Sequence, residues 1–382
     1  MVYLDNAATS FPKPDCVIEA VELCIREKGA NPGRGSHHLA LAASRAIFGA
    51  REALASLFGV SDSTSFAFTY NCTEALNLAL KGILKPGDHA ITTSAEHNSV
   101  TRPLNALEAL GVSVSKIQCG ADGTLVLADV DAAVTPATRL LAVTGASNVI
   151  GTLMPVEELA AICKKHGILF LVDGAQLAGH RPMDLAESGV DLFAFPGHKG
   201  LLGPQGTGAL YIRPGLELDE LLQGGTGANS KAIEQPRERP DRYESGTPNT
   251  PGIAGLGAAV ELLMKVGLEE IEAKENALTR RLLEGLSEIK GLALYGPPPE
   301  VKRSPVVSFN VEGLDADQVA FFLDQSFDVA SRSGLHCSPD AHITIGTIDK
   351  GAVRLSPGFT NEASDIDEAL SAVQAIVKEY GA

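Results

Sequence analysis

Two short apolar runs near the middle of the chain end in polar residues. Residues 168–172 (ILFLV) lead into Asp173-Gly-Ala-Gln176, and 191–195 (DLFAF) lead into Pro196-Gly-His-Lys-Gly200. Runs this short and this rich in Val, Ile and Phe predict buried strands. Residues 65–69, 89–93, 112–117 and 138–143 predict four more strands, and Tyr211-Ile212 belongs to another. Between them the apolar spacing turns helical: 39–58 closed by Gly59, a helix opening at Thr73, and 157–166. Strands alternating with helices predict an α/β fold, a mostly parallel sheet with right-handed crossovers.

The flanks read differently. Residues 1–14 start strand-like and then carry Pro12 and Pro14; Asp15 is placed to cap the next helix. Residues 222–251 are glycine-rich and then charged, a long loop of the kind that is usually functional. Helices are expected over 252–266, 268–289, 316–327 and 362–380, and strands at 306–311 and 351–355. The expected division is a large α/β domain over 15–252 and a small α+β domain built from 1–14 and 253–382. The sequence shows no internal repeat, coiled coil or low-complexity tract.

With 382 residues, 45% hydrophobic and 20% charged, the chain has the composition of a globular protein with a large core. A formal net charge of −16 argues against a nucleic-acid surface or a polybasic membrane contact. No apolar run has transmembrane length and the N-terminus lacks a signal-like pattern, so the expected location is cytoplasmic. The six cysteines form no CxxC pair and no zinc-ligand spacing, so no metal site is expected. Most read as small buried hydrophobes. Cys337 differs: Ser331-Arg-Ser-Gly-Leu-His-Cys-Ser-Pro339 surrounds it with small and polar residues, which disfavours a buried structural cysteine and suits an exposed thiolate.

Every predicted strand end delivers polar residues: Cys72-Thr73, His97, Asn148, Asp173 with Gln176, and His198-Lys199. Any one of them alone reads as an ordinary satisfied polar group, and Thr73-Glu74 alone reads as helix capping. Five together, at strand ends where open α/β sheets bind ligands, read as a site. A lysine amine beside a histidine, with a carboxylate from a second strand, is what pyridoxal phosphate requires: the lysine binds its aldehyde and the aspartate keeps its pyridine nitrogen protonated. The helix opening at Thr73 offers free N–H groups to a phosphate.

The motifs extend this. YLDNAAT at 3–9, NPGRGSH at 31–37, CTEALN at 72–77, AEHNS at 95–99, SNVIG at 147–151 and VDGAQ at 172–176 stand in order. GHKGLLGPQGTGALY at 197–211, YESGTPNT at 243–250 and RSGLHC at 332–337 follow them. In this respect the whole chain resembles the cysteine desulfurases of the class V aminotransferase family, with the fold type I of pyridoxal phosphate enzymes: a seven-stranded, mostly parallel sheet between helices, plus a smaller α+β domain. The resemblance implies that Lys199 carries the cofactor and moves the α-proton, its amine kept near neutral by cationic surroundings, and that Asp173 meets the pyridine nitrogen. It implies that Gln176 and Asn148 lie near the phenolic oxygen, and that His97 stacks on the ring and helps move protons. Thr73, the Cys72 backbone and His198 would hold the phosphate, and Thr247 would reach the phosphate of a neighbouring subunit, giving a homodimer with composite sites. Arg354 would bind the substrate carboxylate, with Asn148 sharing it and Arg332 and Arg34 near the mouth; for Arg354 a surface ion pair is the other reading. Cys337 would attack the sulfur of L-cysteine and keep it as a persulfide, releasing alanine. The short loop after RxGxxC resembles the group that passes sulfur to an acceptor protein, as in iron–sulfur cluster assembly. Selenocysteine lyase (on L-selenocysteine) or cysteine sulfinate desulfinase activity is an alternative, as is an aminotransferase or epimerase, and a catalytically silent scaffold is a third. The chain departs from the pattern at Tyr70-Asn71-Cys72, where arginine, glycine and threonine are commoner, at Pro196 in place of serine, and at Gly33 in place of histidine.

Overall fold

The computed structural model describes residues 1–33, 37–227 and 231–381. The first half runs β1 (Val2–Tyr3), α1 (Asp15–Glu27), α2 (His38–Leu57), β2 (Phe66–Thr69), α3 (Cys72–Ile83), β3 (His89–Thr93), α4 (Asn98–Glu108), β4 (Ser113–Ile117) and α5 (Leu127–Ala132). It continues with β5 (Thr138–Thr144), α6 (Val156–His166), β6 (Leu169–Asp173), β7 (Leu192–Pro196) and β8 (Gly208–Ile212). The second half runs α7 (Thr250–Val266), α8 (Leu268–Glu288), β9 (Leu292–Tyr295), β10 (Val307–Val311), α9 (Ala316–Phe327), β11 (Val329–Ala330), α10 (Pro339–Thr344), β12 (Val353–Leu355) and α11 (Ala363–Tyr380).

The main sheet has seven strands in the order β2-β8-β7-β6-β5-β3-β4. β3 to β7 run parallel to one another, and β8 runs antiparallel to both β2 and β7. Alternate residues of one strand serve opposite faces. Phe170, Val172, Phe193 and Phe195 join α1, α2, α6 and α7 in one core, while Leu171, Leu192 and Ala194 join α3 and α4 in the other. Continuous apolar strands therefore mark a sheet covered on both faces. Phe58, Phe66, Phe193 and Phe195 pack ring against ring, mostly tilted or edge to face, at centroid distances of 5.2–6.3 Å on the first face.

A second core gathers Val2, Leu4, Phe309, Val319, Leu355 and Ile366 around the antiparallel sheet β12-β10-β9 and helices α8, α9 and α11. β1 lies parallel to β11, with Val2 opposite Val329. The chain then crosses to the main sheet, where the Ser10 amide donates to the His198 carbonyl at 3.0 Å. The expected domain break after residue 252 falls inside α7. That helix packs on α1 and α2, and Ile253, Leu256 and Val260 belong to the main-sheet core. Leu268 and Ile271 of α8 still belong to that core, and Leu278 is the first α8 residue in the core around β12-β10-β9.

Local readings needed adjustment. Pro14 occupies the N-cap position of α1 and Asp15 is its first helical residue. α3 opens at Cys72, not Thr73, and Asn71 caps it by accepting from the Glu74 amide at 2.9 Å. α4, α5, α10 and β9 were not foreseen: α4 carries Pro103 and mostly polar residues, α5 and α10 have six residues each, and β9 has four. Among the described residues no single helix is long and apolar enough to cross a membrane.

Candidate active site

The carboxyl ends of β3, β5, β6 and β7 and the N-terminus of α3 meet at a cavity of about 170 Å³. Cys72, Thr73, His97, Asn148, Asp173, Gln176, His198 and Lys199 all line it, as do Asn71, Ser99 and Pro196. The strand ends read from sequence thus converge on one place.

Glycines allow the approach. Gly179, at φ +84°, lies so close to Gly200 that a Cβ on it would fall 2.3 Å from the Gly200 carbonyl carbon. A Cβ on Gly200 would fall 2.5 Å from the Ala178 oxygen and 2.7 Å from the His180 ring. The turn after β6, which carries Asp173, and the turn after β7, which carries Lys199, touch through bare backbone.

The Asp173 carboxylate is buried and receives the Ala175 amide at 3.0 Å and the Cys72 thiol at 3.4 Å. Burial pushes the Cys72 thiol well up, so it stays protonated as the donor. The Gln176 amide donates to the Ala7 carbonyl at 3.0 Å, while its Oε1 is buried with no partner among the described residues. A buried acceptor without a donor is costly unless something else supplies one.

His97 caps α4: the Ser99 amide donates to its Nδ1 at 3.1 Å, with the Ser99 hydroxyl at 2.9 Å. Burial lowers its pKa to about 4. The ring is therefore neutral, with its proton on Nε2. The Ser99 hydroxyl also lies 2.8 Å from that of Thr73, which ties α4 to α3. Ser99 carries no motif signal beyond the AEHNS string and was missed in the sequence.

The carbonyl of His198 accepts from the Ser10 amide at 3.0 Å, the Thr9 hydroxyl at 3.1 Å, the Ser10 hydroxyl at 3.2 Å and the Lys13 ammonium at 3.0 Å. Burial, then the charges of Lys199 and Lys13, lower the His198 pKa to about 4. Lys199 is itself shifted down. Burial is the largest cause, opposed by Asp173 and Cys72, with Arg354 and Arg332 adding smaller downward pushes. The cationic surroundings expected from the sequence are a secondary influence.

Arg354 is 2% exposed. Its Nη1 donates to the Asn148 carbonyl at 3.0 Å and its Nη2 to Asp5 Oδ1 at 2.9 Å. The other oxygen of Asp5 takes Arg332 Nε at 3.1 Å. The pair is thus a buried one rather than a surface ion pair, and Arg354 Nε has no partner among the described residues. Arg354 stands behind Asn148 instead of lining the cavity. Asp5, 349 positions away in sequence, was not foreseen as its partner.

Asn148 joins the cavity to the nucleophile candidate. Its amide donates to the His336 carbonyl at 2.7 Å and its Oδ1 accepts from the Ser338 hydroxyl at 2.7 Å. Cys337 sits between, exposed, with its carbonyl taken by the Asn98 amide at 2.8 Å. Thr247 stands apart, on an open groove of about 940 Å³, where Tyr70 donates to its carbonyl at 2.9 Å. Arg34 lies outside the described residues.

This arrangement can hold a planar anionic ligand: helix N-terminus at one end, carboxylate, histidine and lysine around it, with the Cys337 turn hydrogen-bonded to the lining residue Asn148. The sequence model of the aminotransferase class-V family matches residues 2–369. The chain is 37% identical to a probable cysteine desulfurase of Halalkalibacterium halodurans, covering 100% of this chain and 94% of the relative. It is 36% identical to a cysteine desulfurase of Yersinia pseudotuberculosis, with the same coverage. The apo structure of the cysteine desulfurase from Thermococcus onnurineus superposes with a TM-score of 0.93 at 35% identity, covering 99% of this chain and 94% of that one. An Escherichia coli cysteine desulfurase gives 0.89 at 28%, with the same coverage. The chain belongs to the aminotransferase class-V family, the family that contains these cysteine desulfurases.

Proposed function

We propose that the protein is a pyridoxal phosphate-dependent cysteine desulfurase that converts L-cysteine to L-alanine and keeps the sulfur on Cys337. The observation that carries this is Asn148: the residue that lines the Lys199 cavity also brackets Cys337 with both ends of its amide. A class-V enzyme without sulfur chemistry has no need of an exposed thiol so placed.

The donor set fits the cofactor. Lys199 would attach it, Asp173 would meet its ring nitrogen, and the amides opening α3, with Thr73 and His198, would take its phosphate. The unpartnered Gln176 Oε1 and neutral His97 belong beside the ring. When bound, the cofactor supplies an electron sink for the substrate's α carbon. Lys199, whose pKa burial lowers, is the amine placed to take up the α-proton. Arg354 and Arg332 would receive the substrate carboxylate, which would take the place of Asp5 on one nitrogen of each guanidinium. The Cys337 thiolate forms a bond to the substrate sulfur as the carbon–sulfur bond breaks. The electron pair goes to carbon, protons complete alanine, and the enzyme keeps Cys337–S–SH.

Thr247 belongs to the partner's site in a homodimer. Its distance from its own cavity and the exposed Phe48, Tyr70 and Leu222 beside its groove support this. A sulfur-acceptor protein then removes the persulfide. Incubation with L-cysteine, assaying alanine and the mass of the Cys337 peptide together, tests the reading. One alanine per sulfur gained supports it. Alanine formed at full rate by Cys337→Ser points instead to a lyase acting on selenium or sulfinate substrates.

A further inference from the structure

The nucleophile turn is unusual in its backbone. His336 and Cys337 both take left-handed conformations, φ +49° and +58°, which residues other than glycine rarely adopt. Asn148 and the Asn98 amide hold the outer side of this turn. The turn also rests on a chain of three buried side chains with no part in the reaction above, which ends on the backbone carbonyl of Arg332.

That chain starts at Thr347, whose hydroxyl lies 2.7 Å from His342 Nδ1. His342 Nε2 lies 3.2 Å from His336 Nδ1, and His336 Nε2 lies 3.5 Å from the Arg332 carbonyl. His342 is 0% exposed and His336 8%. The two ring planes are tilted by only 26° and their centroids lie 5.4 Å apart, an edge-to-edge arrangement that suits the in-plane N···N contact.

The direction of the chain is fixed by its end. A carbonyl only accepts, so His336 Nε2 carries the proton and its Nδ1 must accept. His342 therefore donates from Nε2 and accepts at Nδ1 from the Thr347 hydroxyl. Burial keeps both rings neutral, with pKa values lowered to about 2 for His336 and about 4 for His342. The same Arg332 carbonyl also accepts the Arg354 amide at 2.7 Å. The chain thus links the thiol turn to the strand that carries the carboxylate-binding arginine.

We propose that His342 is a positioning residue for Cys337: the relay Thr347–His342–His336–Arg332 locks the left-handed turn and keeps the thiol outward. Without it the turn relaxes to ordinary backbone, which rotates the peptide planes on either side of Cys337 and carries the thiol away from its exposed position. The catalytic part of this inference rests on Cys337 being the sulfur acceptor; the structural part does not.

The experiment uses the full chain loaded with pyridoxal phosphate. Two quantities are read: the rate of Cys337 alkylation by iodoacetamide without substrate, by peptide mass, and kcat and KM for alanine formation from L-cysteine. His342→Leu is expected to slow alkylation about fivefold and to lower kcat about tenfold or more with KM little changed, as displaced reacting groups do. His342→Gln keeps a donor nitrogen where Nε2 lies and is expected to recover most of both. Parent-like alkylation and kcat in His342→Leu overturn the proposal. So does a glutamine variant no better than leucine, because then only bulk matters. If His342→Leu does not fold, Thr347→Val removes the first donor and is expected to move both readings in the same direction by about twofold to threefold; no movement there overturns the proposal as well. If the parent forms no alanine, the desulfurase reading fails while alkylation still decides the role of His342.

Discussion

Cys337 and Asp5 should respond to substitution in opposite ways. Cys337 is exposed, so Cys337→Ser is expected to leave stability and cofactor absorbance intact. Alanine formation from L-cysteine should fall about a hundredfold or more, the scale lost when a covalent nucleophile is removed. Asp5 holds two guanidinium groups, one of them buried. Asp5→Ala strands the Arg354 charge, and breaking a buried pair from one side costs about 3 kcal/mol. A urea midpoint unchanged from the parent would contradict that. The buried histidines set a pH dependence. His342 titrates at about 4 when folded and near 6.5 when unfolded. Between those values the unfolded chain binds the extra proton, so stability rises with pH across the window and is lost as pH falls from about 6.5 towards 4. Each such ring contributes a slope of up to about 1.4 kcal/mol per pH unit. His342→Gln should flatten the curve of urea midpoint against pH between 4 and 6.5.

Among the elements, the strands were legible and several helices were not. Runs such as 168–172 and 191–195 have one reading because both faces of their strands are covered. The helix α4 hides behind Pro103 and polar positions, and its value to the site lies in His97 and Ser99 at its first turn. The strand ends revealed eight cavity-lining residues. Side-chain direction was beyond the sequence: nothing in SNVIG shows that Asn148 spends its amide on residues 336 and 338 instead of a ligand. Nor does local pattern connect Asp5 with Arg354. The contact between the turns after β6 and β7 gives a sharp test. Gly200→Ala puts a methyl against the Ala178 carbonyl and the His180 ring, and forcing bulk into packed backbone costs about 2 kcal/mol. Loss of cofactor absorbance should accompany the lower melting temperature, because Lys199 is the adjacent residue.

On the scale of the whole molecule, the proposed homodimer rests on the groove beside Thr247 and its exposed apolar rim. Sedimentation is expected to report about twice 39.8 kDa, and a monomer that retains full activity would remove Thr247 from the site. The formal charge of −16 should make any acceptor protein a basic one at its contact face, and their association should weaken as salt is added. Finally, the segment from Val2 to Lys13 pairs with β11 at one end, grips Arg354 and Arg332 through Asp5, and places four donors on the His198 carbonyl at the other. It acts as a tie-rod between lysine and thiol. A single protease cut near Ala8 would leave every reacting side chain in place and yet release the two halves of the site from their common alignment.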